Sequence, residues 1–348
     1  MLMTKSNPFI SICLPTYNRA FFLKESIKSV LEQKYSCSEL IIINDGSSDN
    51  TEEVIKSFKG KRIRYLKNEK NLGYISSINK ATAQVKGDWI MHLSDDDLLL
   101  PDALKLLAKA ISENQNKQIG FVVPQTININ SKGKVISIPK SQLDNKEYLI
   151  LEPKEFIPNY TLYGKKIREK YRFNTCFPAT LFNKKTFIKM GMSCPQLPVA
   201  HDLLIAAKIC LKYPIIVIDK PSIKYRIHES WGSGLNQRGE FLEEYLRYLN
   251  LLFDFVKNEK IKFDYDFEKY CCHSLINYLF SLDGGLIRLA ARYQGPYQER
   301  LKRISQYIRF GLSKEKNQFF RPAFYFSILA SLLPQKLLLK IGQWQRKI

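Results

Sequence analysis

A fourfold alternation of strand and helix patterns between Phe9 and Ile111 constrains this chain more than any other feature. Four short apolar, β-prone runs predict strands, and after each the apolar residues recur at helical spacing. Such alternation is typical of an α/β fold, with a mostly parallel central sheet flanked by crossover helices. The predicted strands are Phe9–Leu14, Leu40–Ile43, Ile63–Leu66 and Trp89–Leu93, and the predicted helices end near Gln33, Phe58, Val85 and Ile111.

Three polar clusters, residues 15–19, 44–49 and 94–97, directly follow predicted strands. In parallel sheets ligands bind beyond the carboxyl ends of the strands, so we expect the clusters to gather at one sheet edge. The last cluster contains three consecutive acids, Asp95–Asp97. Neighbouring carboxylates repel each other, and hard divalent cations prefer oxygen ligands, so this triplet predicts a metal site. The alternative is a solvated turn whose acids cap the helix that follows.

Other candidate residues allow two interpretations each. Asp45 is either a turn residue or a carboxylate that binds a base or ribose. Asp202, at the start of a predicted helix, is either an N-terminal cap or a general base. Arg226 and His228 lie together in a predicted polar loop, residues 225–234, and the pair fits diphosphate binding better than either residue alone. A lone histidine is more often structural.

These motifs, taken in order, resemble those of the family 2 glycosyltransferases. The matching segments are SICLPTYNR (11–19), LIIINDGSSD (40–49), NLG (71–73), GDWIMHLSDDD (87–97), HD (201–202) and YRIH (225–228). Each motif is weak evidence alone, but the ordered set, which spans roughly residues 8–235, is highly specific. The resemblance implies a GT-A nucleotide-diphospho-sugar transferase fold. It also implies inverting, metal-dependent transfer of a sugar from a nucleotide sugar, most often a UDP-sugar, to an acceptor hydroxyl.

The resemblance also implies roles for the matching residues. Asp202 would be the general base, while Asp96, Asp97 and His228 would hold Mn²⁺ or Mg²⁺. Asp45 would bind the nucleotide base. The residues implied to bind the nucleotide sugar are Pro15, Thr16, Tyr17, Arg19, Asp45, Gly46, Asn71, Asp95 and Arg226.

Two positions depart from the family pattern. Ser94 stands where many relatives carry an acid, which leaves open which acid of Asp95–Asp97 is the main metal ligand. His201 stands where glutamate is frequent, which favours Asp202 as the base. Since the family is inverting, the resemblance implies one in-line displacement without a covalent nucleophile.

The C-terminal part of the chain is basic and differs in character from the rest. We predict a catalytic domain over residues 1–235 and a helical extension over 236–348. The formal net charge is +21, and residues 288–348 hold 13 Lys and Arg against two acids. Segment 318–348 mixes aromatic, aliphatic and basic residues, which is typical of a membrane-interface helix. The alternative is a helical bundle packed on the catalytic domain. Its longest uncharged run, 322–335, is shorter than the roughly 17–25 residues of a spanning helix.

These observations predict location and partners. Seven scattered cysteines without a CxxC pair, and no secretory signal, indicate a cytoplasmic protein that contacts the cytoplasmic face of the membrane. The expected partners are a nucleotide-sugar donor and a glycan or lipid-linked saccharide acceptor of surface polysaccharide assembly.

Two other functions fit less well. A nucleotidyltransferase usually has a glycine-rich loop near its N-terminus, and residues 14–19 contain no glycine. A basic nucleic-acid-binding protein would explain the charge, but an acidic triplet at the sheet edge would repel phosphates. We therefore expect no nucleic acid partner.

Overall fold

The protein is represented by a computed structural model. It describes residues 7–58, 60, 62–140, 143, 146–153, 180–198, 200–228, 241–263, 266–268, 271, 298 and 305. The described residues form two compact units. The first takes residues up to 153, then 180–196 and 201–228, and the second takes 197, 198, 200 and those from 241 onward.

The described part of the first unit contains one sheet and the helices around it. Its strands are β1 (Ile10–Thr16), β2 (Ser38–Asn44), β3 (Ile63–Lys67), β4 (Trp89–His92), β5 (Leu98–Leu99), β6 (Phe121–Asn130), β7 (Val135–Ser137), β8 (Tyr148–Leu151), β9 (Leu181–Asn183) and β10 (Ile215–Ile227). Its helices are α1 (Ala20–Leu31), α2 (Thr51–Ser57), α3 (Tyr74–Thr82), α4 (Ala103–Ser112), α5 (Lys184–Lys189) and α6 (His201–Lys212).

The sheet has the order β3-β2-β1-β4-β9-β6-β10-β5, with β7 beside β6 and β8 beside β10. Strands β3, β2, β1 and β4 run parallel, as do β6 and β10. Strand β9 is antiparallel to both of its neighbours, β4 and β6. The predicted α/β fold with a mostly parallel sheet is confirmed.

The core explains why the first strands form as predicted. Every residue of β1 and β2 is buried, as expected of parallel strands covered on both faces. Helix α1 buries Leu23, Ile27 and Val30 against this sheet. Burying an aliphatic side chain of this size contributes roughly 1.5–3 kcal/mol.

Some element bounds differ from the sequence-based prediction. Pro15 and Thr16 are the buried last residues of β1, not part of the loop that follows. Pro15 lies beyond Cys13, the last β1 residue paired with β4, so its missing N–H breaks no bond of that ladder. Helix α4 begins at Ala103 rather than Pro101, because Asp102 has a left-handed φ of 59°.

The second unit is described mainly by helix α7 (Phe241–Asn258). Within this unit the backbone N–H of Ala200 donates to Glu244 Oε1 at 2.6 Å. The predicted boundary near residue 236 and segment 318–348 lie outside the described residues, so the predicted division into two domains stays a prediction. In the described part of the chain, no helix is both long and apolar enough to cross a membrane.

Candidate active site

The loops after β1 and β2 are hydrogen-bonded to each other. The backbone N–H of Asn18 donates to Ser47 Oγ at 3.0 Å, and Asn18 Oδ1 accepts from the N–H of Ser48 at 2.8 Å. The N–H of Asp45 donates to the carbonyl of Thr16 at 2.9 Å. Two of the predicted polar clusters therefore meet at the carboxyl edge of the sheet.

Asp45 organises the loop before α3. Its Oδ1 accepts from the N–H of Leu72 at 2.9 Å and from Asn68 Nδ2 at 2.8 Å. Its Oδ2 accepts from the N–H of Gly73 at 2.9 Å. Both carboxylate oxygens thus bind this protein's own groups, and the predicted contact with a nucleotide base stays a prediction.

Gly46 allows the two loops to approach closely. Its φ is +74°, and a Cβ there would lie 2.7 Å from the carbonyl carbon of Lys70 and 2.9 Å from the backbone N of Asn71. Only glycine accommodates both the left-handed φ and this backbone contact. Asn71 is exposed, and its Oδ1 accepts from the N–H of Gly73 at 2.8 Å.

The acidic turn, residues 94–97, follows β4 directly at the same sheet edge. Asp95, Asp96 and Asp97 are all buried. Ser26 of α1 holds the turn from below, since its Oγ lies 2.9 Å from the carbonyl oxygen of Asp95 and 2.6 Å from that of Asp97. The fold therefore fixes the backbone of the triplet and leaves the carboxylates to meet other groups.

Basic side chains surround Asp96. Arg19 Nη1 lies 2.8 Å from Asp96 Oδ2 and 3.3 Å from Asp95 Oδ1. His228 Nε2 lies 3.0 Å from the same Asp96 oxygen, and its ring stacks on Phe22 with centroids 5.2 Å apart. The structure thus brings together two predicted metal-binding residues, Asp96 and His228, with Arg19 beside them.

Arg226 has a different environment from the one the sequence suggested. It lies on β10 rather than in a loop, is 2% exposed, and its guanidinium donates to Asp96 O, Glu25 Oε2 and Ser131 O. Its backbone N–H donates to Asp97 Oδ1 at 2.8 Å. In this structure Arg226 supports the acidic turn and does not face outward. Its predicted contact with a diphosphate would require new bonds and stays a prediction.

Burial makes the acidic turn electrostatically unfavourable without further cations. Burial raises the pKa of Asp95 to about 6, although nearby Arg19 lowers it. Burial and neighbouring Asp96 raise the pKa of Asp97 well above its ordinary value. Asp97 Oδ2 is buried and has no hydrogen-bond partner among the described residues. Within the same described residues, no three His, Cys, Asp or Glu side chains are arranged to hold a metal ion.

A cavity of about 190 Å³ lies in this unit next to the acidic turn. Asp202, in the first turn of α6, lines it together with Ser94 of the turn. Asp202 Oδ1 accepts from the N–H of Leu203 at 2.7 Å, and burial raises the pKa of this carboxyl. The other lining residues are Tyr74, His92, Phe182, Phe187, Ser193, His201, Ile205 and Tyr225.

His92 and Tyr74 give the cavity its other titratable groups. Burial lowers the pKa of His92 to about 3, so its imidazole is neutral near pH 7. Burial raises the pKa of the Tyr74 hydroxyl, and the carboxylate of Asp202 raises it further. The cavity thus combines a carboxyl group with neutral polar and aromatic side chains, a combination suited to binding a neutral hydroxylated ligand.

The residues predicted to line the base pocket differ in their exposure to solvent. Pro15 and Thr16 are buried in β1, whereas Tyr17 is exposed beside the loop contacts. Ser26, which binds the acidic turn, and Glu25, which binds Arg226, were not predicted from the sequence. Ser26 and Ser29 lie three residues apart on α1, a spacing that puts them on one helix face, but a polar pair of this kind resembles a solvated surface.

Comparison with known proteins agrees with this arrangement. The family model described as "Glycosyl transferase family 2" matches residues 11–189, just over half of the 348-residue chain. An uncharacterized glycosyltransferase of Rickettsia typhi is 30% identical over 69% of this chain and 70% of its own length. One from Rickettsia felis is 31% identical over 65% of this chain, but the match spans only 35% of that relative.

Relatives with more specific names match shorter stretches. A GalNAc(5)-diNAcBac-PP-undecaprenol beta-1,3-glucosyltransferase of Campylobacter jejuni is 29% identical over 49% of this chain and 56% of its own. The crystal structure of S. aureus TarS 1-349 in complex with UDP has a TM-score of 0.61 and 16% identity. That comparison covers 97% of this chain and 91% of the other, and it shows a shared GT-A fold. With the family match over the sheet and the acidic turn, the chain belongs to glycosyl transferase family 2.

Proposed function

We propose that this protein is an inverting transferase that moves a sugar from a nucleoside diphosphate sugar to an acceptor hydroxyl. One observation carries the proposal: half-buried Asp202 and Ser94 of the acidic turn line the same cavity. Such a displacement needs a proton acceptor for the attacking hydroxyl. It also needs, close by, a group that stabilises the negative charge of the leaving diphosphate. The S. aureus structures in complex with UDP and UDP-GlcNAc support a nucleotide-sugar donor.

Asp202 would act as the general base. It would take the proton of the acceptor hydroxyl as that oxygen attacks the anomeric carbon from the face opposite the diphosphate. Burial raises the pKa of this carboxyl toward the working pH, which strengthens a carboxylate as a proton acceptor. The neighbouring N–H of Leu203 holds one carboxylate oxygen and leaves the other for the acceptor.

The acidic turn would control the charge of the leaving diphosphate. Asp96, Asp97 and His228 would hold Mn²⁺ or Mg²⁺, which when bound would neutralise the developing negative charge. Two of these residues would suffice as protein ligands, because Mg²⁺ commonly takes only one or two carboxylates and completes its shell with phosphates. The buried, unpartnered Asp97 Oδ2 supports this assignment. Arg19, within 2.8 Å of Asp96, would turn toward the phosphates once an ion shares that carboxylate.

The donor's nucleoside would lie over the joined loops after β1 and β2. Tyr17 and Asn71 are exposed there, and Gly46 keeps the loop floor free of side chains. Asp45 and Asp95 would contact the base and the ribose or sugar. Pro15 and Thr16 would act from within β1 by shaping the floor of this pocket.

For the acceptor, we propose a lipid-linked saccharide or growing polysaccharide. The Campylobacter jejuni relative is named for a undecaprenol-linked saccharide, and a chondroitin synthase of Pasteurella multocida is 36% identical over 37% of this chain. The basic segment 318–348 would contact the cytoplasmic face of the membrane, where such acceptors reside.

The assignment of Asp202 is tested by the substitution Asp202→Asn. The amide keeps the shape of the side chain but cannot take a proton, so we expect transfer to fall by about 10²–10⁴-fold. Donor affinity, measured by calorimetry with a UDP-sugar identified in a donor screen, should stay unchanged. Asp88→Asn, at an exposed aspartate outside the cavity, serves as the matched control.

Two outcomes would overturn this proposal. If Asp202→Asn weakened donor binding but kept full turnover at saturating donor, Asp202 would be a binding residue and not the base. If the wild type released no nucleoside diphosphate from UDP-, GDP-, CDP- and dTDP-sugars with Mn²⁺ or Mg²⁺ and any acceptor offered, transfer itself would be the wrong reaction.

A further inference from the structure

The β6–β7 hairpin exposes three aliphatic side chains close together. Val135, Ile136 and Ile138 are 44%, 56% and 64% exposed. Successive residues of a strand point to opposite faces, so consecutive exposed Val135 and Ile136 leave both faces of β7 uncovered by the described residues. Strand β7 pairs with β6, and no other described strand pairs with it.

The same hairpin carries a concentrated positive charge. Lys132, Lys134 and Lys140 flank the aliphatic residues, and all three are exposed. Residues 130–140, NSKGKVISIPK, contain no acid, so this short stretch has a formal charge of +3. An aliphatic tip with a rim of lysines complements a surface that is apolar inside and anionic outside.

The hairpin is a built structure rather than a loose loop. Asn130 Oδ1 accepts from the N–H groups of Lys132 and Lys134, and the N–H of Gly133 donates to the Asn130 carbonyl. The N–H of Asn130 donates in turn to the carbonyl of Lys134. A turn with these bonds presents its aliphatic residues in a fixed orientation, which lowers the entropy lost on docking.

The turn of the hairpin is also bonded to the candidate active site. Arg226 Nη1 donates to the carbonyl of Ser131 at 3.2 Å, while Nε of the same guanidinium donates to the carbonyl of Asp96 in the acidic turn. One buried side chain thus connects the two. Any partner surface bound by the hairpin would therefore lie at a fixed distance from the candidate active site.

We propose that the β6–β7 hairpin, residues 130–140, inserts its aliphatic tip into an anionic lipid surface and so orients the catalytic unit toward that surface. The charge of the lysine rim favours acidic lipid headgroups over a second copy of this basic chain, because two such rims would repel each other. This contact is independent of segment 318–348 and of the transfer reaction proposed above.

The test measures binding of the full chain to vesicles of phosphatidylcholine with about 30 mol% phosphatidylglycerol. The triple variant Val135→Ser, Ile136→Ser, Ile138→Ser should lower the partition coefficient about tenfold. The triple variant Lys132→Gln, Lys134→Gln, Lys140→Gln should make vesicle binding less dependent on salt than that of the wild type. Ile188→Ser, at a 46% exposed isoleucine of α5, is the matched control and should bind like the wild type.

A local reporter separates the hairpin from any other membrane contact. In Ile136→Trp, the fluorescence added over the wild type should be quenched by brominated lipid, whereas that added by Ile188→Trp should not. Absence of vesicle binding by the wild type, or an unquenched Ile136→Trp in bound protein, would overturn the proposal. So would a wild-type dimer that the serine variant converts to monomer, since the hairpin would then be a contact between copies. No step requires enzymatic activity, so failure here leaves the proposed transfer reaction untouched.

Discussion

At the scale of single residues, the site is defined by carboxylates in different environments. Asp45 has both oxygens occupied by backbone and amide donors, so it is a structural acceptor in this structure. Asp95 and Asp97 are buried, and their carboxylate oxygens could accept more hydrogen bonds than the surrounding groups donate. Asp202 lines a cavity. The sequence predicted that Asp45, Asp95 and Asp97 gather at one sheet edge, but it could not tell which of these carboxylates would bind donors of the protein itself.

The raised pKa of Asp95 predicts a pH-dependent cost. Between pH 4 and about 6 the folded protein keeps a proton on this carboxyl that the unfolded chain has lost, so stability falls as pH rises through this window. Asp95→Asn carries no such charge. Its unfolding free energy relative to wild type should therefore increase by up to about 3 kcal/mol from pH 4 to pH 7.

Urea denaturation at several pH values without divalent cations measures this difference. Asp88→Asn, at an exposed site, should show a difference from wild type that is flat over the same range. A flat difference for Asp95→Asn as well would mean that Arg19 fully offsets the burial of this carboxylate.

At the scale of elements, α1 couples the sheet to the acidic turn. One face buries Leu23, Ile27 and Val30 in the core, which the apolar spacing predicted. The adjoining side of the helix and the residues just after it bind the segment after β4. Ser26 contacts the acidic turn, and Ser29 Oγ accepts from the N–H of Leu99. Beyond the end of α1, Gln33 Nε2 donates to the carbonyl of Leu100. Polar residues at such spacing resemble a solvated face, and their partners 67–71 residues away cannot be seen in a local pattern.

The substitution Ser26→Ala tests this coupling. It leaves two buried carbonyl oxygens of the acidic turn without their hydroxyl partner, so we expect a loss of about 1–3 kcal/mol of stability. Thermal unfolding measures the change. Ser57→Ala is the control, since that exposed hydroxyl of α2 binds only the carbonyl of Val54 within its own helix, and it should cost under about 0.5 kcal/mol. Equal effects of the two variants would contradict the coupling.

At the scale of the whole molecule, local sequence patterns predicted the first four strands of the sheet better than its later strands. Strands β1 to β4 were predicted because each is a short apolar run followed by apolar residues at helical spacing. The later half of the sheet depends on β10, which is parallel to β6, antiparallel to β5 and β8, and shifted in register near Pro221. Sequence analysis therefore placed Arg226 in a loop, whereas β10 extends to Ile227 and carries it into the buried site.

The proposed donor site predicts how ligands change the stability of the protein. A ligand at 100 times its dissociation constant adds about 2.7 kcal/mol, or roughly 5–10 °C in Tm for a unit of this size. We expect UDP with Mn²⁺ to produce this increase and either alone to produce much less, because phosphates and the carboxylates of Asp96 and Asp97 would share the ion.

Differential scanning calorimetry with and without EDTA makes this measurement. An equal increase with UDP in EDTA would show that the acidic turn binds the nucleotide without a metal, through Arg19 and its neighbours. An ATP control, with a different base, tests whether the loops after β1 and β2 choose the nucleoside.

The hydrogen bonds of Arg226 also determine when the acidic turn can be fixed during protein synthesis. Its guanidinium joins Glu25, 201 positions earlier, and the carbonyl of Asp96, 130 positions earlier. A ribosome releases the first four strands long before residue 226, and contacts between such distant residues form slowly. The nascent chain therefore carries the acidic triplet for many seconds without the strand that fixes it, and Arg226 can bind this turn only when β10 enters the sheet between β6 and β5.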